Sequence, residues 1–185
     1  MRKLIARVFD YSLDGLIATE GTEFFQFCRD LPDDPAEDAR GHAFYAGADL
    51  HIMGRAAYQS MASYFPTATD DPYAEPINAV RKVVFSRTLK TADWANTTIA
   101  SGDLAEEVGK LRRGGDGYII VDGGIRFWRS LARLDLIDEY RVTLVPYLAG
   151  EGPRLFENVG KSRQLDLLSS TAFSSGVQLD YRRHR

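Results

Sequence analysis

Short apolar runs alternate with amphipathic segments over most of this chain. The runs are rich in Val, Ile and Leu, as in buried strands, and the segments between them repeat apolar residues every three or four positions, as in helices. The predicted strands cover residues 4–9, 50–53, 82–86, 97–100 and 118–121, and the predicted helices cover residues 21–29, 35–46, 54–64, 103–112 and 124–133. Residues 66–76 are rich in Asp, Thr and Pro and are predicted as a loop.

The alternation stops after Asp135. Residues 138–145, 164–173 and 177–181 are all predicted strands, and the last two are joined as a hairpin across residues 174–176. Strands separated by helices imply right-handed crossovers and a parallel sheet, whereas the hairpin adds an antiparallel edge. We therefore expect an α/β fold with a mixed sheet.

Three of the predicted parallel strands end in residues suited to an anion. Ligands of open α/β sheets usually bind beyond these carboxyl ends. At the last of them two glycines join a strand directly to a helix, which brings bare N–H groups and a positive helix end together. The three ends are Gly54-Arg55, Ser86-Arg87-Thr88 and Gly123-Gly124. Each arginine alone could be a surface charge and the glycine pair alone a tight turn, but together they indicate an extended ligand with several phosphates.

A dinucleotide has that shape, although the usual Gly-x-Gly-x-x-Gly fingerprint does not follow the first strand. Arg55, Ser86 and Arg87 instead offer the cationic and hydroxyl groups that bind a 2′-phosphate. The sequence therefore favours NADPH over NADH as cofactor.

Composition limits the other possibilities. The length of 185 residues favours one domain over residues 1–185, and the net charge of −3, with both signs interspersed, argues against a nucleic-acid partner. One cysteine and three scattered histidines give no metal-binding spacing. No apolar run approaches the roughly 18 residues of a membrane span, and the first residues lack a secretory signal pattern, so we expect a cytoplasmic protein without a membrane partner.

Taken in order, several short motifs identify the chain as similar to a known family. They are Ser12-Leu-Asp-Gly-Leu-Ile-Ala18, Ile52-Met-Gly-Arg-Ala-Ala-Tyr58, Val84-Phe-Ser-Arg87, Val121-Asp-Gly-Gly124, Leu136-Ile-Asp-Glu139 and Pro146-Tyr-Leu-Ala-Gly-Glu-Gly152 with Leu155-Phe156. The chain resembles the dihydrofolate-reductase-like superfamily, in particular the C-terminal reductase domain of the bacterial riboflavin-biosynthesis deaminase-reductase. The resemblance covers nearly the whole chain.

The resemblance implies a mixed, mostly parallel eight-stranded sheet flanked by helices, with a C-terminal antiparallel hairpin, and NADPH-dependent reduction. It implies that Gly54-Arg55 and Ser86-Arg87 hold the adenosine-side phosphates and that Gly123-Gly124, often joined by a cis peptide bond in this family, passes under the pyrophosphate. The cofactor-binding residues implied by these motifs are Ile17, Gly54, Arg55, Tyr58, Ser86, Arg87, Gly123, Gly124 and Ile125. In one departure, Ala57 replaces the Thr usual in the family, so a weaker hold on the phosphates is expected.

Reduction of a C=N bond requires a proton donor beside the nicotinamide. Asp38 falls at the position of the dihydrofolate-reductase helix acid, counted back from Gly54-Arg55 without gaps, and Asp14 lies in the Ser-Leu-Asp-Gly motif. Each also has a structural interpretation, Asp38 as a first-turn carboxylate and Asp14 as an Asx-turn residue. The sequence leaves the choice open, with Asp38 favoured because helices hold side chains more precisely than loops.

The function predicted from these features is NADPH-dependent reduction of a small heterocyclic or imine-bearing, pteridine- or pyrimidine-like substrate. The alternatives are the riboflavin-pathway reduction of 5-amino-6-(5-phosphoribosylamino)uracil, for which no spare basic cluster is visible, and a catalytically inactive nucleotide-binding protein of the same fold, which Ala57 favours. A homodimer is also expected, because the late strands carry alternating apolar residues at a sheet edge, namely Leu165, Leu167, Val177, Leu179 and Tyr181.

Overall fold

Side chains that cap helix amino termini mark where three of the helices begin. In the computed structural model, which describes residues 1–184, Thr22, Asp34 and Asp103 accept hydrogen bonds from backbone N–H groups of the helices they precede. The helices are α1 (Glu23–Arg29), α2 (Pro35–Ala46), α3 (Arg55–Tyr64), α4 (Ala74–Ala79), α5 (Leu104–Arg112) and α6 (Ile125–Arg133). The strands are β1 (Lys3–Tyr11), β2 (Leu50–Gly54), β3 (Lys82–Phe85), β4 (Thr97–Ala100), β5 (Tyr118–Asp122), β6 (Glu139–Leu144), β7 (Leu165–Phe173) and β8 (Gly176–Arg183).

All eight strands form one sheet in the order β4-β3-β2-β5-β1-β6-β8-β7. The pairs from β4 through β6 are parallel, and β8 is antiparallel to both β6 and β7. The predicted mixed sheet with a C-terminal antiparallel hairpin is confirmed. Because β1 and β5 are central neighbours, their carboxyl ends lie side by side at the edge of the sheet where parallel strands end.

The core has two layers, one on each face of the sheet. One layer joins Val8 and Val121 to Val108 of α5 and Trp128 of α6. The other joins residues of the opposite face to Phe44 of α2, to α3 and to α4. Successive residues of a strand point to opposite faces, so the odd-numbered positions in the buried part of β1 face α2.

Two sequence predictions need correction. Residues 66–76 are not loop throughout, because α4 begins at Ala74; a proline in the first turn of a helix removes no hydrogen bond, so Pro76 does not prevent it. The peptide between Gly123 and Gly124 is not cis, since no cis bond occurs within residues 1–184. No helix in the described chain is long and apolar enough to cross a membrane.

Candidate functional site

A cleft lies at the carboxyl ends of β1 and β5. Its lining residues come from the end of β1, the segment after it, the β5–α6 turn and α6; they are Arg7, Val8, Phe9, Asp10, Ile17, Ala18, Asp122, Gly123, Gly124, Ile125, Trp128 and Leu155. Of the predicted cofactor residues, Ile17, Gly123, Gly124 and Ile125 therefore share one surface. Neither Asp38 nor Asp14 is among the lining residues.

The turn from β5 into α6 depends on its two glycines. Gly123 has φ 66° and Gly124 has φ 79°, a backbone region in which glycine alone is unstrained. A Cβ at Gly123 would come within 2.9 Å of the Ala57 Cβ, so close packing also excludes a side chain there. A Cβ at Gly124 would stand 3.9 Å from the Gly54 backbone nitrogen, which places the ends of β2 and β5 against each other.

The helices that follow β2 and β5 begin without a side-chain cap. Gly54 precedes α3 and Gly124 precedes α6, and neither provides a hydrogen-bond acceptor for the first N–H groups. Each helix therefore presents unpaired donors and the positive end of its dipole at the sheet edge. The geometry suits a negatively charged ligand that spans both ends.

The third strand end joins the same edge. Arg55 Nη1 donates to Thr88 Oγ1 at 2.9 Å, and Ser86 Oγ accepts from the backbone nitrogens of Thr88 and Leu89. Arg55 and Arg87 are exposed. The structure thus brings Arg55 and Ser86 together, as expected for one phosphate site, and leaves both guanidinium groups accessible.

Tyr58, unlike Arg55 and Arg87, lies in the core. Its ring is buried beside Trp94, with 6.3 Å between the ring centroids, and its hydroxyl accepts a hydrogen bond from the Trp94 backbone nitrogen at 3.3 Å. The side chain is part of the core under α3 and does not line the cleft.

Asp14 stabilises a loop. Its carboxylate accepts from Ser12 Oγ at 2.6 Å and from the backbone nitrogens of Ala149 and Gly150 at 3.0 and 2.8 Å. The hydrogen bond from Ser12, followed by that from Ala149, lowers the pKa of Asp14 to about 2. A proton donor at neutral pH needs a pKa shifted in the opposite direction.

Asp38 lies on the first turn of α2, where its Oδ1 accepts from the Tyr73 hydroxyl at 3.1 Å. It lines a separate, open surface depression with Arg29 and Asp71. Tyr73 connects it indirectly to the neighbourhood of the cleft, since the Tyr73 ring lies 5.4 Å from the Arg7 guanidinium.

Two carboxyl groups that the sequence did not single out do line the cleft. Burial raises the pKa of Asp10, an effect that the Cys28 thiol partly opposes. Burial also raises the pKa of Asp122, whose Oδ2 accepts a hydrogen bond from the Tyr45 hydroxyl. Both shifts favour the protonated acid that a proton donor requires.

Basic residues near the cleft were also missed. Arg7, Arg40 and Arg141 converge where the sequence shows no spare basic cluster, because they come from β1, α2 and β6 and meet only in the folded chain. One signal was available: a strand in the middle of a parallel sheet is normally apolar throughout, so a charged residue within it indicates a function.

A model of the RibD C-terminal domain matches residues 2–179. The chain belongs to the RibD C-terminal domain family. YyaP, an uncharacterized protein of Bacillus subtilis (strain 168), is 31% identical over 172 residues, which cover 90% of this chain and 87% of YyaP. The similarity to YyaP thus extends over nearly the full chain, but the name of that protein gives no substrate.

Two solved structures have folds similar to that of this chain. A protein of Shewanella sp. PV-4 named for riboflavin biosynthesis superposes with a TM-score of 0.80 at 25% identity, covering 99% of each chain. Dihydrofolate reductase of Enterococcus faecalis, complexed with NADP(H) and RAB-propyl, superposes with a TM-score of 0.63 at 15% identity, covering 99% of this chain and 97% of the reductase. The fold is dihydrofolate-reductase-like.

Proposed function

We propose that this protein is an NADPH-dependent reductase of a small heterocyclic or imine-bearing substrate. The observation that carries the proposal is the row of anion-suited groups along one sheet edge. Ser86 and Arg55, the start of α3, and Gly123-Gly124 at the start of α6 follow the order of adjacent strands β3, β2 and β5, and end at the cleft beside β1. An extended dinucleotide would occupy that row.

NADPH fits these residues. The exposed Arg55 and Arg87 with Ser86 would hold the 2′-phosphate, and the uncapped ends of α3 and α6 would hold the pyrophosphate over glycines that carry no obstructing Cβ. Ile17 and Ile125 would bound the nicotinamide in the cleft. When bound, NADPH supplies a hydride to the acceptor carbon and leaves as NADP⁺.

The proton must come from the protein or from solvent. Asp10 is the best-placed donor, because its carboxyl group lines the cleft and burial keeps its pKa raised. It would transfer a proton to the nitrogen of the reduced C=N bond and recover one from solvent, so that one hydride and one proton are added in total. Asp38 would then have only an indirect role, by orienting the Tyr73 hydroxyl that donates to it.

The riboflavin-pathway reduction is the second candidate, favoured by family membership. Its substrate carries a phosphate monoester, and Arg7, which lines the cleft, is close enough to Arg141 for their charges to interact, as is Arg40. Two of these arginines are already paired with Asp180. This pairing favours a substrate with less negative charge.

Fluorescence titration with NADPH tests the proposal directly. We expect the nicotinamide fluorescence of NADPH to change and to reach saturation as protein is added. Excess NADP⁺, which competes for the same site, should reverse the change. Absence of NADPH binding at micromolar protein would overturn the reductase and would equally argue against an inactive protein that binds this nucleotide, whereas binding without any hydride transfer would favour the inactive alternative. Ala57→Ser, which returns a hydroxyl beside Gly123, should then show whether the missing family hydroxyl is responsible.

A further inference from the structure

A row of charged side chains crosses the sheet beside the cleft. Asp122 on β5 is in register with Arg7 on β1, Arg7 with Arg141 on β6, and Arg141 with Asp180 on β8. Residues in register on adjacent strands project from the same face. This row faces α2, whose Phe44 ring lies 4.2 Å from the Arg141 guanidinium and 5.6 Å from that of Arg7.

At the outer end of the row, two arginines have a common carboxylate partner. Asp180 accepts from Arg40 at 2.6 Å and from Arg141 at 3.1 Å, and it also accepts from Ser169 and Gln178. A carboxylate with four donors has its acceptor sites filled. Arg40 and Arg141 therefore share one carboxylate within the protein, which offsets one of their two positive charges.

Arg7 lacks such a partner. Only 3% of the residue is exposed, yet neither its Nε nor its Nη1 has a hydrogen-bond partner within residues 1–184. No ion pair of the described chain includes it; the nearest carboxylate along the row, Asp122, is instead bonded to the Tyr45 hydroxyl. Buried guanidinium groups are normally paired, because an unpaired one is costly.

Aromatic rings determine how a ligand could reach Arg7. The guanidinium carbon lies 3.7 Å from the centroid of Phe9, 5.1 Å from that of Tyr45 and 5.4 Å from that of Tyr73. The Phe9 ring lies over the planar group and the Tyr45 and Tyr73 hydroxyls also interact with it, while Nε and Nη1 on its edge have no partner. That edge matches two coplanar oxygen acceptors.

We propose that Arg7 binds the substrate, through a carboxylate or the oxo edge of a planar ring, at the inner wall of the cleft. The inference rests on the proposed function, whose substrate class it narrows. A phosphate monoester fits less well, because its two negative charges would meet a single unmatched guanidinium in the cleft. Arg7 would thus select substrates by their acceptor edge, while Asp10 serves the reacting nitrogen.

Calorimetric titration with benzoate and benzamide tests this role. The two probes share a ring and differ in the edge they present, and both are titrated with and without saturating NADPH. We expect benzoate to bind wild-type protein at least tenfold more tightly than benzamide. Arg7→Met should lose at least tenfold in benzoate affinity and lose the preference, and Arg7→Lys, which keeps the charge without the fork, should be intermediate.

Arg112→Met is the matched control. Arg112 is also largely buried, but it pairs with Asp138 at 2.9 Å at the opposite edge of the sheet, so its loss should leave benzoate affinity unchanged. If Arg7→Met does not fold, Arg7→Lys and Arg7→Gln give the comparison. Benzoate bound no more tightly than benzamide, a folded Arg7 variant that binds benzoate normally, or tighter binding of inorganic phosphate would each overturn the proposal. Benzoate binding without NADPH binding would overturn the reductase alone.

Discussion

At the residue scale, the cleft contains a strained aspartate. Asp10 has φ 52°, a conformation that residues other than glycine adopt rarely, and it lies at the irregularity between Val8 and Tyr11 in the pairing of β1 with β6. Strain of this kind persists where the surrounding structure enforces it, and it is concentrated at functional sites. The backbone here turns the Asp10 side chain toward Cys28 and the cleft, where burial acts on its carboxyl group.

The carboxyl groups of Asp10 and Asp14 should titrate in opposite directions. Carbon-13 NMR of labelled aspartate should give Asp10 a pKa above the ordinary 3.8 and Asp14 a pKa of about 2. Asp10→Asn and Asp14→Asn assign the two signals. An Asp10 pKa at or below 3.8 would remove it as proton donor, since it would then be ionised at neutral pH.

His51 should make the fold sensitive to acid. Its ring is fully buried, neither ring nitrogen has a hydrogen-bond partner among the described residues, and burial lowers its pKa from 6.5 to about 3. Below pH 6.5 the unfolded chain therefore binds a proton that the folded chain does not. The free energy of unfolding should fall by about 1.4 kcal/mol per pH unit from this group, between pH 6.5 and 3.

Denaturant titrations of wild type and His51→Leu across that range measure the effect. The other titratable groups contribute equally to the pH dependence of unfolding in both proteins. The difference between the two curves therefore isolates the contribution of His51. As the pH falls from 6.5 to 3, wild type should lose about 1.4 kcal/mol more per pH unit than His51→Leu. Parallel curves would contradict the assignment.

Functional residues can be recognised from the sequence only where their role depends on residues next to them in the chain. Gly123 and Gly124 are recognisable because a strand, two glycines and a helix are contiguous in the chain. Arg7 is marked only by its charge within a central strand and Asp10 by nothing local, because their surroundings come from Tyr45, Cys28 and Asp122, which are distant in sequence. A motif points to Asp14 and sequence spacing points to Asp38, but neither specifies which side chains enter a cleft.

At the element scale, helix starts explain most of the agreement between sequence and structure. Asp34 with Pro35 and Asp103 are strong start signals, and α2 and α5 begin there. The short α4 lacks such a signal, since its preceding residue Tyr73 makes no side-chain cap. It is held instead by packing of Ile77 in the core, which local sequence does not specify.

The β5–α6 turn should be sensitive to a single methyl group. Gly124→Ala places a Cβ at an ordinary 3.6 Å from Ala57, so the protein should fold, at a cost of about 1–2 kcal/mol for the left-handed conformation. NADPH affinity should fall about tenfold, because the Cβ displaces the pyrophosphate from the backbone.

Gly160→Ala provides the comparison. Gly160 has φ 91° and similar free space but lies beside Arg133, away from the cleft. It should lose comparable stability in thermal unfolding while binding NADPH normally. Normal NADPH binding by folded Gly124→Ala would mean that the glycine serves the turn alone.

At the scale of the whole molecule, β7 forms an open edge of the sheet. Leu167 and Leu168 on it are 56% and 46% exposed, and a bulge between Leu167 and Ser169 interrupts the pairing there. Val177 on β8 is also exposed. A homodimer that covers this region remains our prediction, because exposed apolar edges favour association.

Light scattering over a range of concentrations tests the dimer. We expect twice the chain mass at micromolar protein, and Leu167→Glu with Leu168→Glu should shift the protein toward the monomer. A mass near 20.7 kDa at all concentrations would contradict the prediction.

We propose that the carboxyl-end edge of the sheet binds a dinucleotide with a 2′-phosphate. The most direct test compares NADPH and NADH affinities for wild-type protein and for Arg55→Met and Arg87→Met. We expect NADPH to bind at least tenfold more tightly, since one charge-assisted contact contributes about 1.5–3 kcal/mol. Each substitution should reduce this preference without weakening NADH. Equal affinities for the two cofactors in wild-type protein would contradict the account.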